Sequence, residues 1–185
     1  MKAEKKSVIS DPQPTIYGFG KAYGERSFNS APLPEFSGAL SGGKAIVDLL
    51  VGVSCGYREA MQRAAMPIPE PVKLRALIDT GFTGGLAVDQ DSIKGLRLQF
   101  RNFNRVSLPS ISSRFFETYE WEVDVSMRLV ASESKGTDIV IDPIAATVLE
   151  LVPEMHGIQA LIGQEILQVC ILTIDGRRGV FKLTF

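Results

Sequence analysis

Val72-Lys-Leu-Arg-Ala-Leu-Ile-Asp-Thr-Gly-Phe-Thr-Gly-Gly-Leu-Ala-Val88 is the stretch on which the reading of this chain turns. An apolar run over residues 72–78 goes straight into Asp79-Thr80-Gly81, and a second apolar run starts at Leu86. Short runs of Val, Ile and Leu broken by a polar, Gly-bearing segment read as strand, loop, strand. Asp and Gly are ordinary turn residues, and Asp-Ser/Thr-Gly arises by chance in about one chain in ten of this length. Its place gives it weight. A carboxylate at the end of a buried strand, followed by a small hydroxyl and a Gly, is what a paired-carboxylate site needs. The Gly lets the backbone approach a symmetry mate and point an N–H at the carboxylate. The Thr80 hydroxyl can bond across to the partner loop and hold the two carboxylates coplanar.

Outward from that stretch the chain is mainly β. Apolar runs at residues 45–54, 97–103, 114–130, 138–152 and 170–185 join the one at 72–78. In Trp121-Glu-Val-Asp-Val-Ser-Met-Arg-Leu129 every second residue is apolar, the period of a half-buried strand. Asp175-Gly-Arg-Arg-Gly179 separates the last two runs, and its Asp-Gly step predicts a terminal hairpin. Helix signals are short: residues 89–96, 163–169, and 57–66, the last bounded by Gly56 and Pro67-Ile-Pro69. Residues 1–43 are rich in Gly, Pro and Ser and predict an extended or disordered arm, with the folded domain over 44–185.

The 185 residues suit one domain. Twenty Lys and Arg against twenty-one Asp and Glu leave a net charge of −1, with no bias toward nucleic acid or an anionic membrane. His156 is the one histidine, so His-rich metal sites are excluded, and a Ser-His-Asp triad would have to run through it. If the chain is an enzyme, carboxylates carry the chemistry. Cys55 and Cys170 lack zinc or redox spacing and read as buried free thiols of a reducing compartment. No apolar segment follows the basic N-terminus as a secretory signal requires. Residues 45–53 are interrupted by Asp48 and too short to span a bilayer. The expected location is the cytoplasm. Gly38-Ala-Leu-Ser-Gly-Gly-Lys44 has P-loop spacing, but Ala45 replaces the Mg²⁺-binding hydroxyl and a β-branched run replaces the helix.

Farther along, Gln159-Ala-Leu-Ile-Gly-Gln-Glu-Ile-Leu167 places two branched apolar residues directly before Gly163. With Ala76-Leu-Ile-Asp-Thr-Gly-Phe-Thr-Gly84, it resembles the retropepsin-like aspartic proteases, most closely the small single-domain prokaryotic members. The resemblance spans residues 46–185 and is specific at these two motifs. It implies an all-β fold with one or two short helices, a closed acid-protease-like β-barrel with one lobe per chain. It also implies a catalytic Asp79, Thr80 and Gly81, with Phe82, Thr83 and Gly84 toward substrate. Leu161, Ile162 and Gly163 would form the structural second motif. No metal or cofactor is implied. With one Asp-Thr-Gly per chain, the dyad would form across a homodimer acting on a peptide or protein substrate.

Phe82 stands where viral members usually have Ala, and Glu165 where many members have Asp or Asn. The family's flap is a Gly-bearing hairpin; the matching residues 103–125 contain no Gly, and their tip falls at Pro109-Ser-Ile-Ser-Ser113, with Phe115, Phe116, Tyr119 and Trp121 nearby. The Gly-free flap motivates an alternative, a catalytically inactive retropepsin-fold module for dimerisation or peptide binding. A further possibility is that the arm acts as an inhibitory pro-segment.

Overall fold

Alternating hydrophobicity shapes most of the chain in the computed structural model, which describes residues 15–17, 34–98, 102–109, 115–129, 138–149 and 157–185. The elements are β1 (Thr15–Tyr17), β2 (Glu35–Ser41), β3 (Lys44–Val53), α1 (Cys55–Arg63), β4 (Val72–Ile78) and β5 (Leu86–Asp89). Then come α2 (Gln90–Ile93), which runs into a 3-10 turn at Lys94–Leu96, and the strands β6 (Asn102–Pro109), β7 (Phe115–Leu129) and β8 (Ile139–Leu149). The chain finishes with β9 (Ala160–Ile162), α3 (Gln164–Leu167), β10 (Ile171–Asp175) and β11 (Val180–Thr184). In β7 the predicted alternation is realised: Val123, Val125, Met127 and Leu129 are buried, with Arg128 exposed between them.

Six strands close into a barrel. β3 pairs antiparallel with β4, β4 parallel with β9, β9 antiparallel with β5, β5 parallel with β8, and β8 antiparallel with β7. The ring shuts where β7 pairs antiparallel with β3, Leu49 opposite Leu129 and Val53 opposite Val125. The expected all-β barrel with short helices is the observed architecture. Its interior is filled by residues such as Leu49, Val51, Leu74, Leu86, Ile141 and Ile162, all nearly inaccessible to water. Each such side chain removed from water contributes roughly 1.5–3 kcal/mol.

The other strands extend the sheet. β7 is long enough to pair with β6 along its first half, from Pro109 opposite Phe115 to Asn102 opposite Glu122. β1 runs parallel to β8, and β11 bridges β2 and the edge strand β10. The predicted terminal hairpin forms: Asp175 pairs with Val180, and its Oδ1 accepts the N–H groups of Arg177 and Arg178, both at 3.0 Å.

The folded part begins earlier than residue 44, which corrects the arm boundary. β2 pairs with β11 along its length and buries Phe36 in the core. Its inward positions are Phe36, Gly38 and Leu40, and the middle one is Gly because the Phe181 ring lies there. A Cβ at Gly38 would fall 2.6 Å from Phe181 Cζ. The missing side chain hides the strand's alternation from the sequence. Residues 1–14 and 18–33 of the predicted arm lie outside the described residues. The P-loop-like glycines also find their role: Gly42 and Gly43, with φ of +58° and +76°, turn β2 into β3.

Two smaller expectations change. In the apolar run at 97–103 the described strand starts at Asn102, residues 99–101 lie outside the described residues, and Arg97 takes a left-handed φ of 49° as the 3-10 turn ends. Both cysteines are free, but Cys55 is exposed at the first turn of α1 and only Cys170 is partly buried. Ser54 caps α1, its Oγ accepting the Tyr57 N–H at 3.4 Å, and the Asp142 carboxylate accepts the Cys55 N–H at 3.0 and 3.1 Å. Among the described residues no helix is long and apolar enough to cross a membrane.

Candidate functional site

The sequence of β4 delivers Asp79 to a particular place. Leu74, Ala76 and Ile78 point into the core, so the strand is held rigidly up to its last residue. β9 lies parallel beside it, with Ala76, Leu77 and Ile78 opposite Ala160, Leu161 and Ile162. The Asp79 N–H donates to the Ile162 carbonyl at 2.9 Å, which extends the ladder by one step. Asp79 is thus the first residue to leave the sheet. Its carboxylate Oδ1 accepts the Gly81 N–H at 2.9 Å, and its carbonyl accepts the Phe82 N–H at 3.2 Å.

The two motifs, eighty residues apart, meet in space. β9 is squeezed between β4 and β5, with Leu86 opposite Ile162 and Val88 opposite Ala160. Beyond it the chain turns at Gly163 into α3, and the first amides of that turn are taken up by the Asp79 loop. Gly163 N–H donates to the Gly85 carbonyl at 2.7 Å, Gln164 N–H to the Phe82 carbonyl at 2.8 Å, and Glu165 N–H to the Gly84 carbonyl at 3.3 Å. The Gln164 side chain adds a bond from Nε2 to the Thr80 carbonyl at 2.7 Å. These are the N–H groups that a helix start leaves without partners of its own.

Glycine is required at the contact. A Cβ on Gly163 would lie 2.3 Å from the Gly84 carbonyl oxygen and 2.4 Å from Phe82 Cδ1. A Cβ on Gly84 would lie 2.6 Å from Phe82 Cζ. The Phe82 ring therefore lies against Gly84 and Gly163 and packs on the small cluster of Ala87 and Leu161. Thr80, Gly81 and Thr83 are exposed, Asp79, Phe82 and Gly84 are half-buried, and Leu161, Ile162 and Gly163 are buried.

So Thr80 and Gly81 are exposed, beside a half-buried Asp79, on a loop tied to the segment Leu161, Ile162 and Gly163. Among the described residues, the Asp79 carboxylate is bonded to the Gly81 amide and to no second carboxylate or base. No group of three or more His, Cys, Asp or Glu gathers among the described residues as a metal would need.

Two residues that sequence reasoning did not single out belong to this framework. Gln164 ties α3 to the loop. Gln159 knits β4 to the start of α2: its N–H donates to the Arg75 carbonyl at 2.8 Å, its Oε1 accepts the Arg75 N–H at 3.3 Å, and its Nε2 reaches Ser92 Oγ at 3.3 Å. The only hint of either in the sequence is an amide side chain beside a short apolar run. The described residues of 103–125, where the flap is expected, fall within β6 and β7, which pair antiparallel. Its tip at 110–114, the side chains of Phe115, Phe116, Tyr119 and Trp121, and His156 lie outside the described residues. Neither a known family model nor a curated protein matches the chain.

Proposed function

We propose that the chain is half of an aspartic endopeptidase, a cytoplasmic enzyme whose catalytic dyad is the Asp79 carboxylates of two identical chains. The observation that carries this reading is the setting of Asp79. It is a carboxylate at the end of a buried barrel strand, held by the Gly81 amide at 2.9 Å, in a loop whose Thr80 and Gly81 face outward. A single chain supplies one such carboxylate, and the exposed Thr80–Gly81 face is where a two-fold mate would bring the second.

Two carboxylates about 3 Å apart cannot both ionise, so they share one proton; aspartic proteases are the standard illustration of this coupling. The ionised Asp79 takes a proton from a water as that water attacks the peptide carbonyl carbon. The protonated Asp79 hydrogen-bonds the carbonyl oxygen and steadies the charge that develops there. Collapse of the tetrahedral intermediate returns a proton to the leaving amine. Activity should therefore peak at mildly acidic pH. Raising the pH strips the shared proton, and lowering it further protonates the base, so both limbs fall.

The test is a diverse peptide library offered to the wild-type chain and to Asp79→Asn, with sedimentation to read the oligomer. Cleavage by the wild type, blocked by a statine inhibitor and lost in the mutant with the dimer intact, supports the assignment. A mutant that retains full activity refutes it. Peptide binding without turnover by the wild type selects instead the inactive dimerisation or peptide-binding module.

A further inference from the structure

One peptide plane joins Asp79 to the start of α3. The Thr80 carbonyl and the Gly81 N–H belong to the same amide, which is planar, so its oxygen and hydrogen cannot turn independently. The oxygen accepts from Gln164 Nε2 at 2.7 Å, and the hydrogen is donated to Asp79 Oδ1 at 2.9 Å. Thr80 and Gly81 are exposed. Gly81 has no Cβ to oppose rotation of that plane. Gln164 itself is anchored, since its backbone N–H is bonded to the Phe82 carbonyl at 2.8 Å and the preceding Gly163 N–H to the Gly85 carbonyl at 2.7 Å.

We propose that Gln164 is a positioning residue for the Asp79 carboxylate and acts through the Thr80–Gly81 amide. By holding the carbonyl end of the plane, Gln164 aims the N–H end at Asp79 Oδ1 and keeps the carboxylate in one orientation. What that orientation serves rests on the peptidase reading; the relay itself does not. Removing the Gln164 donor frees the plane to turn, and the carboxylate then exchanges a fixed amide for water.

The experiment uses the full chain, selectively labelled with ¹⁵N-glycine, as wild type, Gln164→Glu and Gln164→Leu. Gln164→Glu keeps the length of the side chain and loses the donor. The Gly81 amide resonance, assigned by its disappearance in Gly81→Ala, is expected to move upfield in both variants as its bond to the carboxylate weakens. The signals of Gly42, Gly43 and Gly176, far from the loop in sequence, should stay in place. On the peptide cleaved by the wild type, kcat should fall about tenfold, the scale of one hydrogen bond to a charged group, with KM unchanged within about twofold. Gln164→Lys, which restores a donor on a slightly longer stem, should recover most of kcat.

A Gly81 resonance that stays in place in both variants overturns the proposal, whatever the activity. A shifted resonance in a chain that cleaves nothing leaves the relay standing and removes the peptidase reading. Active wild type with kcat untouched in both variants overturns Gln164 as a positioning residue for catalysis and spares the peptidase reading. If Gln164→Leu fails to fold, Gln164→Asn, shorter by one methylene, gives the same readout.

Discussion

Gly81 and Gly163 each close a short motif, and adding one methyl group to each distinguishes the two. At Gly81 the new Cβ would meet Asp79 Oδ1 at 3.2 Å and nothing else nearby. At Gly163 it would be driven into the Gly84 oxygen at 2.3 Å, Phe82 Cδ1 at 2.4 Å and the Phe82 oxygen at 2.6 Å. The first glycine is exposed beside a carboxylate, the second is buried against backbone oxygens and the Phe82 ring. The Asp79 loop thus leaves Thr80 and Gly81 exposed, while Leu161, Ile162 and Gly163 are buried behind it. On the peptidase reading, chemistry would fall to one segment and support to another, the two meeting at the Gly163–Gln164 turn.

The sharpest way to break this division is Asp79→Asn. It should lower peptide cleavage by about a thousandfold or more, the upper range for losing a positioned acid or base. The carboxylate is half-buried and makes one bond within the loop, so the urea midpoint should barely move. A large loss of stability would mean that Asp79 is structural after all.

Gly163→Ala should do the reverse. Two of its three contacts are backbone oxygens that cannot swing aside, so the cost is about 3 kcal/mol or more, as for an overpacked core. It would be read as a lower urea midpoint at fixed protein concentration. Any loss of activity should follow the loss of folded protein. Gly81→Ala is expected to leave stability within about 1 kcal/mol, as for most exposed substitutions. It should still reduce kcat about tenfold, because its Cβ presses on the carboxylate oxygen that the Gly81 amide holds. Equal stability losses at Gly81 and Gly163 would abolish the distinction.

The two motifs were also unequally legible. Asp79 stood out because β4 is a largely apolar strand leading straight into a tripeptide of distinct chemistry, and strand β7 because its period-two pattern is unbroken from Val123 to Leu129. β2 was hidden because Gly38 fills the inward slot beneath Phe181, so the alternation has a gap at its centre. Gln164 was hidden for a different reason. Its bond to Thr80 joins residues 84 positions apart, and no local period encodes such a contact. Propensity and pattern report which face a residue takes, not which distant carbonyl it finds.

The two thiols offer the gentlest probe of the same division. Cys170 lies three residues beyond the end of α3, its Sγ donating to the Leu167 carbonyl at 3.7 Å, so it senses how tightly the supporting segment is held. Burial raises its pKa from the ordinary 9.0 to about 11. Because the thiolate is the nucleophile, that shift cuts its reactive fraction at pH 8 about a hundredfold relative to a thiol of ordinary pKa. Cys55 is exposed on the first turn of α1. Iodoacetamide at pH 8 should therefore label Cys55 at least tenfold faster than Cys170. The sign with pH follows from the raised value. Burial of the neutral thiol costs the fold nothing below pH 9.0, and its contribution to stability is lost as the pH climbs through about 11. Gly163→Ala should narrow the labelling gap by loosening α3, whereas Gly81→Ala should leave it unchanged. If both variants expose Cys170 equally, the Asp79 loop and α3 open as one unit and the separation of chemistry from support fails.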